Sequence, residues 1–388
     1  MSALPDVDVV IPIYKNVAVT QACLSSVERS LVSSGVIHAH IVLINDASPE
    51  EDVTTFCRQW AQKTGWQLIE NPENLGFVAS VNLGMALHPD RDVILLNSDT
   101  EVAGNWLLRM QQCAYQSERI GTVTPLSNNA TICSYPVFLE DNPLLASLST
   151  RELDEVIAQT NAGISIEIPT AVGFCMYIRR DCLNEIGLFD VEHFGKGYGE
   201  ETDFSRRASR AGWQNLCALD TFVLHQGGVS FGESARARIE HAEQMMYQLH
   251  PDYGDVVSEF VRQDPLKVWR DRIDDALLQY SPMASADLLK SHQRYRDKLL
   301  SIVAERFESE RFLTVENATL KRQIAEVREQ FEKTDQALAQ AQHIVTDKNV
   351  IISSLSGELE AVSDELKEIK NSKFWRHTAF IRKLLGTL

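Results

Sequence analysis

Four apolar runs, at residues 7–13, 40–44, 66–69 and 93–96, alternate with stretches of helical periodicity. Helices near residues 18–33 and 50–64 are closed by Gly35 and Gly65, and a third opens after Gly76. Such a β-α-β-α-β-α-β order implies parallel strands with helices on both faces of a sheet. Open sheets of that kind bind ligands in the crevice at the carboxyl ends of their strands. Three of the runs enter polar residues there: Pro12, Tyr14 and Asn16 after the first, Asp46 and Ser48 after the second, Asn97 and Asp99 after the fourth. A carboxylate just past a buried strand is suited to a divalent cation that in turn holds a diphosphate. Asp46, Ser48 and Asp99 are also good helix caps, so each alone is explained by about 1 kcal/mol of capping; three in one crevice are less easily explained that way.

Composition narrows the function classes. A net charge of −17 over 388 residues argues against a nucleic-acid binder. Seven scattered cysteines with no CxxC pair indicate neither a zinc ribbon nor a disulfide framework, which fits a reducing cytoplasm. There is no basic-then-apolar leader at Met1, and no apolar run reaches the roughly 18–20 residues of a membrane span. Neither GxGxxG nor GxxxxGK[ST] occurs, so dinucleotide-binding and P-loop domains are disfavoured.

Beyond residue 122 the pattern is harder to read. A helix or two is expected between residues 144 and 160, capped near Ser149, and strands at 164–168 and 171–178, with Gly173 permitting close backbone approach. Gly195, Gly197 and Gly199 make a candidate lid loop. Glu200, Glu201 and Asp203 then open a helix that Gly212 ends. Acidic residues favour helix N-termini, but a sugar hydroxyl attacking an anomeric carbon also needs a general base. Trp213 and His225 follow, the latter at the end of a short strand.

The strings at residues 11–16 (IPIYKN), 43–48 (LINDAS), 71–77 (NPENLGF), 96–99 (LNSD) and 199–204 (GEETDF), in that order, resemble the signature of glycosyltransferase family 2, particularly its rhamnosyltransferase-like branch. The resemblance covers roughly the first 250 residues. It implies an α/β fold of the GT-A type, a Rossmann-like mixed sheet, and an inverting transfer from a UDP- or dTDP-sugar to a hydroxyl of a surface polysaccharide, such as an O-antigen, or a lipid-linked glycan. By the same resemblance Asp46 reads the donor's base, Asn74 and Gly76 line the nucleoside, Asn82 belongs to the donor site, and Asp99 with His225 attends a Mg2+ or Mn2+. Asn97 stands where the family's metal motif has its first Asp, so protein would hold the cation less tightly. Glu201 occupies the position of the catalytic base, with Glu200 and Asp203 beside it.

Past residue 250 the chain changes character. Residues 251–298 are expected as a helical linker, 299–370 as an all-α coiled coil and 371–388 as a basic amphipathic tail. From Leu313 to Ile369 an a/d seam steps by four and three, interrupted by Asn317, Thr334 and Lys348. A seam this narrow predicts self-association. Phe374, Ile381, Leu384 and Leu385 flanked by Arg376, Arg382 and Lys383 suggest contact with an anionic membrane surface, placing the protein in the cytoplasm against the inner face of the plasma membrane. The rival to an enzyme is a non-catalytic, sugar-nucleotide-binding scaffold that assembles other enzymes through its coil.

Overall fold

The computed structural model describes residues 4–34, 39–195, 197–227 and 235–371. Residues 371–388, apart from the first, and Lys196 of the glycine loop lie outside them, so the tail expectation does too. The chain forms two compact units, Met1–Lys298 and Leu299–Leu388.

The first unit runs β1 (Val7–Ile13), α1 (Val17–Ser34), β2 (Ala39–Asn45), α2 (Glu51–Thr64), β3 (Gln67–Glu70), α3 (Phe77–Met85), β4 (Asp92–Leu96), β5 (Thr100–Glu101), α4 (Trp106–Ala114) and β6 (Ile120–Leu126). After a 3-10 turn at Thr131–Cys133 come α5 (Thr150–Thr160), β7 (Ser165–Glu167), β8 (Cys175–Ile178), α6 (Arg180–Ile186), α7 (Val191–Phe194) and α8 (Glu200–Arg210). β9 (Gln214–Phe222), β10 (Leu224–His225), α9 (Ala235–Leu249), α10 (Tyr253–Gln263) and α11 (Lys267–Tyr280) follow, and α12 (Pro282–Asn371) begins in this unit and continues through the second.

Eight strands make one sheet in the order β3-β2-β1-β4-β8-β6-β9-β7. β1 is parallel to β2 and β4, and β2 to β3, as the alternation predicts. β8 runs antiparallel to both β4 and β6, so the sheet is mixed. Side chains alternate across β1: Val9, Ile11 and Ile13 enter a core with Leu24 of α1 and Trp106 of α4, while Val10 faces α3 and shares a second core with Phe204 of α8. Two strands that the sequence pattern did not show, β6 and β9, are buried along nearly their whole length.

The strand expected at 171–178 is shorter at its start. Ala171 and Val172 give their amides to Ser205 Oγ and Thr124 Oγ1 instead of to a ladder, and only residues from Cys175 onward pair. Ser149 and Glu152 form a reciprocal capping box that starts α5. The segment expected as a linker packs into the catalytic unit: Leu266, Ile273, Leu277, Ala284 and Leu288 all belong to the larger core. Tyr135 Oη reinforces this by donating to Asp274. No described helix is long and apolar enough to cross a membrane.

α3 lies so close to β1 that a Cβ on Gly84 would overlap Val10 Cγ1 and come within 2.8 Å of its Cγ2. Gly84→Ala is therefore expected to overpack this contact and cost about 1–3 kcal/mol. Urea unfolding monitored by circular dichroism should show a lower midpoint with an unchanged slope.

Candidate active site

The carboxyl ends of β1, β2 and β4 line one edge of the sheet. Asn16 leaves β1 with φ 67° and caps α1 through Oδ1, 3.2 Å from the Val19 amide; its own amide donates to Glu50 at 2.9 Å. Pro12 sits in the ladder opposite Ile44, and Tyr14 is half-buried with Lys15 Nζ 5.2 Å from its ring centre. Ser48 donates its amide to Asn45 Oδ1 and exchanges hydrogen bonds with the Glu50 backbone, forming the turn before α2.

Asp46 is the hub of the donor side. One carboxylate oxygen accepts from Asn71 Nδ2 and the Leu75 amide, each at 2.8 Å; the other accepts from Asn74 Nδ2 at 3.0 Å and the Gly76 amide at 2.9 Å. Four donors use the roughly four lone-pair sites of a carboxylate. Asp46 thus folds the 71–76 loop against the end of β2, and Gly76 completes the turn with φ 85°. Asn71 and Ser80, joined at 3.0 Å, complete this network; Asn71 opens the 71–77 string, while the part of Ser80 depends on tertiary contacts and left no sequence signal. Asn82 is committed to both backbone groups of Phe189 and clamps α3 to the segment before α7.

β5 and β10 form a small antiparallel ribbon with His225 opposite Thr100, and this brings His225 Nε2 to 3.5 Å from Asp99 Oδ1. Asn128 fixes the His225 backbone by accepting from its amide and donating to its carbonyl. His225 Nδ1 lies 2.7 Å from the Asn129 carbonyl, so the proton is on Nδ1 and Nε2 faces Asp99. Burial opposes protonation of the ring, but the hydrogen bond and charge of Asp99 outweigh it and raise its pKa. Among the described residues no three His, Cys, Asp or Glu side chains cluster as a metal site. The donor set of Asp99 and His225 nevertheless fits a divalent cation that takes its other ligands from a diphosphate, with the carbonyl on Nδ1 orienting the coordinating nitrogen. Asn97 gives its amide to the Phe174 carbonyl at 2.8 Å, and its side chain makes no hydrogen bond among the described residues.

Phe174 connects this pair to the acidic helix. Its ring stacks on His225 with centroids 5.1 Å apart. One residue earlier, Gly173 leaves room for Glu201, whose Cγ, Cβ and Cδ would lie 3.5–3.6 Å from a Cβ there. One oxygen each of Glu200 and Glu201 is buried with no hydrogen-bond partner among the described residues. Burial, then the charge of Glu201, push Glu200 well above the usual carboxylate range; burial also raises Glu201, against the pull of nearby amides at Glu201, Thr202, Gly173 and Gly199. Asp203 differs: it accepts from His250 Nε2 at 2.8 Å and Arg207 Nε at 2.7 Å, and so anchors α8. Trp213 packs in the core, its indole N–H on Glu185.

Unsatisfied buried carboxylates are costly and uncommon, and functional sites are where they accumulate. Here the pair lies beside Gly173, next to the Phe174 whose ring stacks on His225, in a mixed sheet. The family model of the glycosyltransferase like family 2 matches residues 5–242, and the chain belongs to that family. It is 22% identical over 233 residues to Glycosyltransferase AglE of Haloferax volcanii, covering 60% of this chain and 70% of that one. GalNAc-T7, solved with UDP, GalNAc and Mn2+, superposes with a TM-score of 0.47 and 17% identity over 71% of this chain and 55% of its own, so this chain spans about half its length. The mannosyltransferase PcManGT of Pyrobaculum calidifontis, solved with GDP-Man and Mn2+, gives 0.46 and 14% over 78% and 80%.

Asp46→Asn keeps the shape but turns an acceptor into a donor facing other donors. Nucleoside diphosphate affinity, measured by calorimetry with UDP and with GDP, should fall at least about tenfold for whichever binds, a loss of about 1.4 kcal/mol.

Proposed function

We propose that this glycosyltransferase transfers a sugar from a nucleoside-diphosphate donor to a hydroxyl of a surface polysaccharide or lipid-linked glycan, with inversion at the anomeric carbon. The observation that carries the reading is the Glu201 carboxylate beside Gly173, one oxygen of which has no hydrogen-bond partner among the described residues, one residue from the Phe174 that stacks on His225. Glu201 takes the proton of the acceptor hydroxyl as that oxygen bonds to the anomeric carbon. The bond from that carbon to the diphosphate breaks, and the nucleoside diphosphate departs with the electron pair. One displacement on the face opposite the leaving group inverts the centre.

Asp99 and His225 would hold a Mg2+ or Mn2+, which offsets the charge gathering on the leaving diphosphate. Asn97, the neutral partner in that motif, would add one oxygen or orient a phosphate. The 71–76 loop held by Asp46 would receive the nucleoside. Burial and the charge of Glu201 raise Glu200 well above its ordinary range, which favours one shared proton on the pair over two negative charges. Asp203, tied to His250 and Arg207, positions α8.

Glu201→Gln is isosteric and cannot accept the proton. Turnover should drop by about 100-fold or more with donor affinity retained; unchanged turnover would remove Glu201 from the mechanism. In the native protein the base must be ionised, so kcat should fall as pH drops through a limb lying above the usual carboxylate range, read from a pH–rate profile. The two glutamates titrate as a pair, and the apparent value belongs to both. His225→Ala should raise the Mn2+ concentration needed for half-maximal activity by roughly 10- to 100-fold, as titration of chelator-treated protein would show.

A further inference from the structure

We propose that α12 pairs with the same helix of a second copy of this chain as a parallel, in-register, two-stranded coiled coil. Between residues 313 and 369 the seam places Asn317, Ile324, Phe331, Leu338, Val345, Ile352, Leu359 and Leu366 at a, with Leu313 and every seventh residue after it at d. The large apolar members are 47–72% exposed in the single chain. At 1.5 Å per residue the seam is roughly 85 Å long. A stripe of that length and narrowness is covered by another helix carrying the same repeat.

Charge selects the partner and its direction. In a parallel, in-register pair each g position faces the e position five residues on in the partner. Glu316 then faces the second copy's Lys321, and Glu365 its Lys370, so each end of the seam carries two attractive pairs. None of the other g/e′ pairings from Gln323/Arg328 to Glu358/Ser363 sets like charges opposite. In the antiparallel overlap of the same segment, g faces g and e faces e. Glu316 would meet Glu365, and Lys321 would meet Lys370, with like charges at both ends. None of these four side chains forms an ion pair among the described residues, although Lys333 pairs with Glu329 and Lys367 with Asp364 along their own helix. Their charges are available to a partner.

The first polar seam position points the same way. In register, Asn317 meets its own copy at an a layer, the arrangement in which a buried Asn fixes register and two-stranded state. The antiparallel overlap sets it against Ile369. Lys348 at d is the weak layer of the pair. It lies between Ile344 and Ile351 at g, both more than half exposed, along which its stem can run while the ammonium reaches solvent. Both chains enter such a coil from the same end, so two catalytic units are tethered there. This inference does not depend on the proposed reaction.

All seven native cysteines are buried, so a seam cysteine is the one accessible thiol. The full chain should sediment at twice 43.6 kDa; a single-chain mass at micromolar concentration overturns the proposal. With oxidised glutathione as the oxidant, Leu320→Cys alone and Leu366→Cys alone should each give a covalent dimer. A dimer formed only when both cysteines are present in one chain would show antiparallel pairing and overturn it. Glu316→Lys with Glu365→Lys should weaken dimerisation about tenfold at low salt, and adding Lys321→Glu with Lys370→Glu should restore it. An unchanged dissociation constant in the double variant would remove the charge argument.

Discussion

The hydrogen bond from the Asn97 amide to the Phe174 carbonyl holds the halves of the site together. It joins the last residues of β4 to the loop before β8, at the boundary where the sheet passes from parallel to antiparallel pairing. From that one loop, Phe174 stacks on His225 and Gly173 admits Glu201. The groups proposed to hold a cation and to act as base thus meet at the loop where β8 begins late. Had residues 171–174 continued the ladder, their amides would not have been satisfied by Ser205 and Thr124, and Glu201 would have lost its space.

Two kinds of carboxylate serve the crevice. Asp46 and Asp203 are satisfied by donors on every side and act by positioning what surrounds them. Glu200 and Glu201 each keep an oxygen without a partner among the described residues, in a setting that disfavours charge. The first arrangement fixes the loops around it; the second raises the proton affinity of the residue proposed as the base. The same residue type does different work because the number of nearby donors differs.

β1 to β4 were legible because Val and Ile runs stop at polar residues and Gly. β6 and β9 were not: β6 contains Gly121, Pro125 and two threonines, with register shifts near both ends, and β9 buries Asn215, Asp220 and Thr221. Those polar groups are satisfied only in the fold, as when Asn215 accepts from Thr122 and donates to Ser209. Residues 251–298 read as a linker because Pro251 and Pro265 break their helical pattern, yet Leu266 to Leu288 complete the main core. Strand-end residues such as Asp46, Asn97 and Asp99 could be found locally. Asn128, Asn129 and Phe174 could not, since each acts on a residue distant in the chain.

The account requires one base acting at one carbon. Proton NMR of the first-formed product, with water or a glycan as acceptor, reads the configuration at the transferred anomeric centre before mutarotation. Inversion relative to the donor is the predicted result. Retention would demand a second nucleophile or front-face attack and would contradict the role given to Glu201.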